Sequence, residues 1–547
     1  MINVIFCSKT KTVTFAAVLL GVSALLSRIL GLLRDRLLAG SFGAGEDLDI
    51  YFAAFRVPDF VYGIIILGGI SSVFVPVFSQ HFLKDKEEGW KLASNVLNVF
   101  LLALVVVCGI LAIFTPWLIN CITPGFNSSQ KELTVFLTRI MFFSPIIFGI
   151  SSVFSGILHY FDRFLVYALA PILYNLGIIF GIIFLYPSFG LLGLVYGVIL
   201  GALLHLLIQV PAAISSGFKY RPILDLKSPG LRTIFKLMLP RVAGTAALQI
   251  NLIVVTAIAS TLAAGSIAIF NFANNLHYFP IGIIGASFAT AVFPALSKAW
   301  ADGRKQQFVS QFSLALSQII FFVVPISALM FLLRAQIVRL ILGTGQFSWA
   351  DTRLTAASLG IFCFGIFAAS LVPFLAKAFY SFQNTKTPVI ISLASMGLNI
   401  VLSFLFVYLL SFNNFFYTFV VKFLKLEGLG NIAVVGLPLA VSISVIFQFL
   451  FLLFSLRQEM GKIQLLSTLR SLKKVILATL FMAVITYATL WLVSFFVNMN
   501  TFVGLFIQTV LATIAGLAAY LFLAWLLGSL EIKNIWTSLV GQFKKGQ

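Results

Sequence analysis

Ser27–Asp49 reads SRILGLLRDRLLAGSFGAGEDLD. It continues an apolar run at 15–26, FAAVLLGVSALL, which has the character of the first half of a membrane span. Arg28, Arg34, Asp35 and Arg36 therefore fall where hydrocarbon is expected. At mid-bilayer each such charge costs roughly 2.5–3.5 kcal/mol on insertion scales. A helix that keeps these charges must turn them toward a bundle interior, a water-filled cavity or a ligand of opposite sign.

Composition assigns the rest of the chain to the same environment. Of 547 residues, 61% are hydrophobic and only 10% charged, against about 25% charged in a typical soluble domain; the mean hydropathy is +1.08. Apolar stretches long enough for about 30 Å of hydrocarbon lie near 13–38, 50–79, 92–115, 133–158, 164–186, 190–214, 234–259, 263–297, 309–333, 354–380, 387–411, 431–455, 474–497 and 502–528. The expected fold is an all-α polytopic membrane protein of about fourteen transmembrane helices. Lys9 and Lys11 ahead of the first run imitate a signal peptide, but no convincing cleavage site follows, so it is taken as an uncleaved first span.

The net charge of +20 gathers in alternate loops, for example Lys84, Lys86 and Lys91, then Lys219, Arg221, Lys227 and Arg232. That is the positive-inside pattern, with both termini cytoplasmic, and it accounts for the excess without a nucleic-acid partner. The four cysteines show no CxxC spacing and His81, His159, His205 and His277 form no ligand pair, so no metal, disulfide framework or cofactor is indicated and the cysteines and histidines read as packing or interfacial residues. GxSxG, Walker-type and HExxH patterns are absent, leaving an ATPase or soluble-type hydrolase without a foundation.

A weak repeat relates the two halves. VFVPVFSQ at 73–80 aligns with AVFPALSK at 291–298, YNLGII at 174–179 with MGLNIV at 396–401, and GLVYGVILGALLHLL from Gly193 with GLPLAVSISVIFQFL from Gly436. The order is preserved, giving two six-helix lobes, 1–228 and 229–470, and a remainder, 471–547, with two extra helices. Repeated bundles commonly hold substrate at the repeat interface.

At 100° per residue, Arg28 and Asp35 share one helical face, Ser27 and Arg34 a neighbouring one, and Gly31 between them leaves room for something bulky. Asp49 and Arg56 are again seven apart, with Asp59 beyond, and the seventh span carries Arg241, Gln249 and Asn251. Gathered around a cavity, Arg28, Arg34, Arg56 and Arg241 would receive an anion, and guanidinium matches phosphate oxygens through paired hydrogen bonds. A purely structural alternative pairs Arg28 with Asp35, and Arg56 with Asp49 or Asp59, as ion pairs that fix helix packing.

Taken with FVPVFSQ, QIN at 249–251, FP at 279–280 and AFYSFQNTKTPVIIS at 378–392, the stretch SRILGLLRDRLLAGSFGAGEDLDIYFAAFRVPDF resembles the MurJ (MviN) family of lipid II flippases in the MOP exporter superfamily. The resemblance implies two lobes around a central V-shaped cavity, with the last two helices forming a groove for a polyprenyl tail. It implies transport of undecaprenyl-pyrophosphate-linked glycopeptide to the outer leaflet of the bacterial cytoplasmic membrane by alternating access linked to membrane potential, among membrane lipids and as a monomer. The family's cavity serine and two first-helix arginines fall on Ser27, Arg28 and Arg34, its second-helix aspartate on Asp49, and a lysine before proline becomes Arg56. An arginine the family often carries further along falls at Tyr62 or Gly63, an acidic residue at Leu67, and an Asp-Arg pair at Asn274 and Asn275. Arg241 is then expected to restore part of the positive field beside Asn275. Competing readings are an exporter of another lipid-linked oligosaccharide, a MATE-like antiporter, or a membrane-embedded glycosyltransferase. The antiporter would want more membrane carboxylates, and the glycosyltransferase a catalytic acid that the long outer loops offer only as Glu132 and Glu427.

Overall fold

The described residues of the computed structural model are 13–64, 71–461 and 465–532, and the side chains at 13–17, 71–72, 240–241, 243–244 and 465–469 fall outside them. Lys9, Lys11 and Leu67, and the side chain of Arg241, thus lie outside the described residues. Among the described residues every regular element is helical. Among the described residues, eleven helices are long and apolar enough to cross a membrane. The other three expected spans fall on Val13–Phe42, on Glu46–Val61 with Ser71–Lys84, and on Pro229–Ser260, charged or interrupted helices outside those eleven, so of the fourteen expected spans eleven are seen among the described residues.

Two compact units divide the chain. The first holds the described residues up to Ala268 together with Thr344–Phe347, and the second holds Ile269–Gly343 and the described residues from Ser348. In the first unit the helices are α1 (Val13–Phe42), α2 (Glu46–Val61), α3 (Ser71–Lys84), α4 (Lys86–Ile122), α5 (Ser128–Met141), α6 (Phe143–Tyr160), α7 (Phe164–Phe180), α8 (Leu191–Leu207), α9 (Gln209–Ser215) and α10 (Pro229–Ser260). Packing therefore groups α10 with α2, α3 and α4, whereas the sequence expectation starts a second lobe at 229.

Local sequence explains where these helices begin. Asp85 accepts the Glu87 N–H at 3.0 Å to start α4, and Asn127 with Gln130 forms a reciprocal capping box at α5, both bonds 2.9 Å. The core of the unit is aromatic: Phe74, Phe78, Trp90, Phe154 and Phe218 interlock from α3, α4, α6 and the segment after α9. That segment is irregular but tied to α4. Asn95 exchanges two hydrogen bonds with the Asp225 backbone, at 2.8 and 2.7 Å; Asn98 donates to the carbonyls of Arg221 and Ile223, each at 2.9 Å.

α7 and α8 meet without side chains between them. A Cβ at Gly177 would stand 2.3 Å from the Gly201 Cα, and one at Gly181 would stand 2.5 Å from the Gly197 Cα. Glycine spaced by four on both helices permits this approach, as in membrane helix pairs held by van der Waals contact.

The second unit contains α11 (Ser266–Pro280), whose first turn still belongs to the first unit, and then α12 (Ala286–Ala301), α13 (Lys305–Leu332), α14 (Arg334–Ile341), α15 (Trp349–Ser381), α16 (Lys386–Leu410), α17 (Phe415–Leu424), α18 (Gly436–Met460), α19 (Leu465–Ser494) and α20 (Phe502–Leu526). α15 starts on a capping box of Ser348 and Asp351. The two C-terminal helices pack on each other and α19 on α13. The buried Tyr520 hydroxyl of α20 donates to the Phe321 carbonyl at 2.7 Å.

Candidate functional site

The first unit contains an open cavity of about 840 Å³ and, adjoining it, a smaller one of about 250 Å³; Tyr62, Phe148, Pro171 and His205 line both. Ser27 and Arg28 of α1 line the larger cavity, as do Ser152, Ser155 and His159 of α6. On α6 these three stand at i, i+3 and i+7, which is one helical face. Asp59 and Tyr174 line the smaller cavity.

The expected site residues separate into three groups. Ser27 and Arg28 reach the cavity together, and Ser27 is held there by Asn175 of α7, whose Nδ2 donates to Ser27 Oγ at 3.2 Å and to its carbonyl at 3.3 Å. The same amide stands by Gly31, where an added Cβ would meet Asn175 Oδ1 at 3.9 Å, so the room beside Gly31 is filled by Asn175 at ordinary contact distance.

Arg34 and Asp49 are committed elsewhere. Arg34 gives two bonds to Asp35 Oδ1, from Nε at 3.0 Å and Nη2 at 2.8 Å, a charge-assisted pair. Asp49 is buried and spends both oxygens on backbone: Oδ2 accepts the Gly265 N–H at 2.7 Å and Oδ1 the Ala268 N–H at 2.9 Å. It thereby satisfies donors at the first turn of α11, where the helix end leaves N–H groups unpaired. Arg56 is buried on α2. Arg241 lies on α10, and Asn275, half-buried, belongs to the second unit.

One departure from the family pattern has a local explanation. At Gly63 an added Cβ would come within 2.0 Å of Gln249 Nε2, and Gln249 also donates to the Asp59 carbonyl at 3.3 Å. The amide of α10 thus occupies the space into which a larger side chain at Gly63 would extend.

Histidine is where sequence reading fell short. His205 and His159 line the cavity, and His205 belongs to a polar cluster with Ser151, Ser155 and Gln209. The small spacing of His205 and Gln209 on adjoining helices was the available signal; the serines come from α6, 54 and 58 residues away for the bonds that Ser151 makes.

The model of the lipid II flippase MurJ family matches residues 38–511. The chain belongs to the MurJ lipid II flippase family. A probable lipid II flippase of Buchnera aphidicola subsp. Acyrthosiphon pisum is 30% identical over 514 residues, covering 92% of this chain and 95% of the relative. The lipid II flippase of Burkholderia cenocepacia is 27% identical over 394 residues, covering 70% and 76%. Among solved structures, a lipid II flippase MurJ in an inward closed conformation superposes with a TM-score of 0.73 at 26% identity, covering 93% of this chain and 98% of that one. An inward-facing MATE family multidrug transporter of the MOP superfamily superposes with a TM-score of 0.66 at 15% identity, covering 82% and 99%, a likeness of fold alone. With its eleven apolar spans, the family member described here is a multi-pass protein of the bacterial inner membrane.

Proposed function

We propose that this protein is a transporter that carries lipid II, the undecaprenyl-pyrophosphate-linked glycopeptide, from the inner to the outer leaflet by alternating access, and that Arg28 receives the pyrophosphate. Membership of the flippase family over most of the chain carries this reading, and a guanidinium at the wall of a mainly apolar cavity of about 840 Å³ supports it. Moving a pyrophosphate through a bilayer requires its charge to be compensated, and a guanidinium already placed at the cavity wall does so while the lipid tail remains in hydrocarbon. Membrane potential supplies about 2.3 kcal/mol per charge per 100 mV to reset a positively charged empty carrier.

The finer reading keeps Arg34, Arg56 and Arg241 as contributors to the positive field, with Ser27, Asp49 and Asn275 completing the substrate-contacting set, the repeats 1–228 and 229–470 as moving lobes, and the extra helices of 471–547 as the tail groove. It places both termini in the cytoplasm, and has the protein working as a monomer without nucleic acid. The test is rescue of a bacterium depleted of its own lipid II flippase, comparing the wild-type chain with Arg28→Ala at matched membrane expression. Rescue by the wild-type chain alone is expected; equal rescue by Arg28→Ala removes Arg28 from the mechanism, and failure of a well-expressed wild-type chain in several hosts turns the reading toward another lipid-linked oligosaccharide.

A further inference from the structure

Behind the cavity wall lies a polar network of Ser151, Ser155, His205 and Gln209. Ser151 and Gln209 are both 0% exposed. Gln209 Nε2 donates to the His205 carbonyl at 3.0 Å; a carbonyl can only accept, which fixes the orientation of the amide. The same nitrogen donates to Ser151 Oγ at 2.9 Å and stands 3.2 Å from His205 Nδ1. Ser151 Oγ, accepting from the amide, is 2.7 Å from Nδ1 and has its own proton to give there.

Both amide protons are thus spent on the His205 carbonyl and Ser151 Oγ, and among the described hydrogen bonds Nδ1 of His205 is the one acceptor open to the proton of the buried Ser151, so Nδ1 accepts from that hydroxyl. In a neutral imidazole the proton then sits on Nε2. No described hydrogen bond reaches Nε2, and the ring lines both cavities, so the cavity is offered an uncharged N–H donor. Ser155 complements it. Its hydroxyl proton goes to Gln209 Oε1 at 2.8 Å, which leaves oxygen lone pairs facing the cavity that Ser155 lines. Beside them the Phe148 ring sits 5.1 Å from both the His205 and the Tyr62 rings.

A neutral donor, a neutral acceptor and an aromatic face match a sugar, whose hydroxyls both give and accept and whose C–H face packs on rings. An anion alone would have no use for the Ser155 lone pairs. We propose that Ser155, His205 and Phe148 form a subsite for an uncharged sugar ring in the cavity that Arg28 lines, with Ser151 and Gln209 as positioning residues. The proposal rests on the flippase reading, because it takes the sugar to be the one attached to the pyrophosphate.

The full-length protein in nanodiscs separates the two ideas, with lipid II and undecaprenyl pyrophosphate as probes sharing an anion but not a sugar. Ser155→Ala and His205→Phe are each expected to weaken lipid II binding about three- to tenfold, the worth of one neutral hydrogen bond, and to leave undecaprenyl pyrophosphate binding unchanged. His205→Gln keeps an N–H at similar reach and should recover most of the loss. Gln209→Leu should reproduce the loss and convert the single Nε2–H tautomer of His205, read by its ¹⁵N shifts, into a mixture. Equal weakening of both lipids, or no change in either, overturns the sugar subsite, as does a wild-type chain that holds both lipids equally. Binding of neither lipid by the wild-type chain would instead overturn the flippase reading, and the subsite with it.

Discussion

Arg28 and Arg34 are six residues apart on one helix and have different surroundings. Arg34 has a carboxylate neighbour at 2.8 Å, while Arg28 lines the cavity with Ser27. Substituting Arg28 should therefore be read mainly in transport and substituting Arg34 mainly in folding. Arg34→Gln is expected to lower the thermal unfolding midpoint of the purified protein more than Arg28→Gln, since it breaks a charge-assisted pair with the buried Asp35. Asp49 makes a similar point. The family resemblance put it among the cavity residues and its spacing from Arg56 suggested an ion pair, whereas its oxygens close the first turn of a helix 216 and 219 residues on. No periodicity within one helix encodes a backbone donor that far away. Asp49→Ala should cost about 1–2 kcal/mol, as loss of a cap does, and Asp49→Asn, which retains one acceptor, should cost less; thermal unfolding in detergent measures both. A Gly63→Arg chain should fold better when combined with Gln249→Ala than alone, because the two side chains compete for one space.

At the scale of elements, the reading from sequence is most successful where a helix is long and apolar throughout. α4, α13, α15 and α20 lie where hydropathy places them. It is less complete for α1, α2 and α10, where charges or interruptions dilute the signal. The α7–α8 crossing was visible only as recurring small residues, since the glycine spacing says that a close approach is possible but not which helix makes it. Gly197→Leu is expected to separate the two helices and to destabilise the protein by roughly 1–3 kcal/mol or prevent folding, with Gly21→Leu, where an added Cβ meets nothing within 4 Å, as the tolerated control. The cavity wall was legible in part: Ser27 and Arg28 of α1, singled out in the sequence, line it, but the α6 face of Ser152, Ser155 and His159 became meaningful only when α6, α7 and α8 were assembled.

For the molecule as a whole, alternation of positive loops is the information that composition alone lacks. The segment after α9, with Lys219, Arg221 and Lys227, should lie in the cytoplasm, and the turn between α4 and α5 outside it. Fusions truncated at residue 220 should then be fluorescent with a green reporter and inactive with alkaline phosphatase, and fusions at residue 125 the reverse; the opposite pattern would invert the topology. The family is carried by motifs that span both halves of the chain, so it could be named from sequence, while the neutral network around His205 could not. The glycine contact between α7 and α8 also has a mechanical meaning. With backbone resting directly on backbone, no layer of side chains is left to yield under load. The pair should behave as one stiff plate that holds Tyr167 and His205 at a constant separation on one side of the cavity.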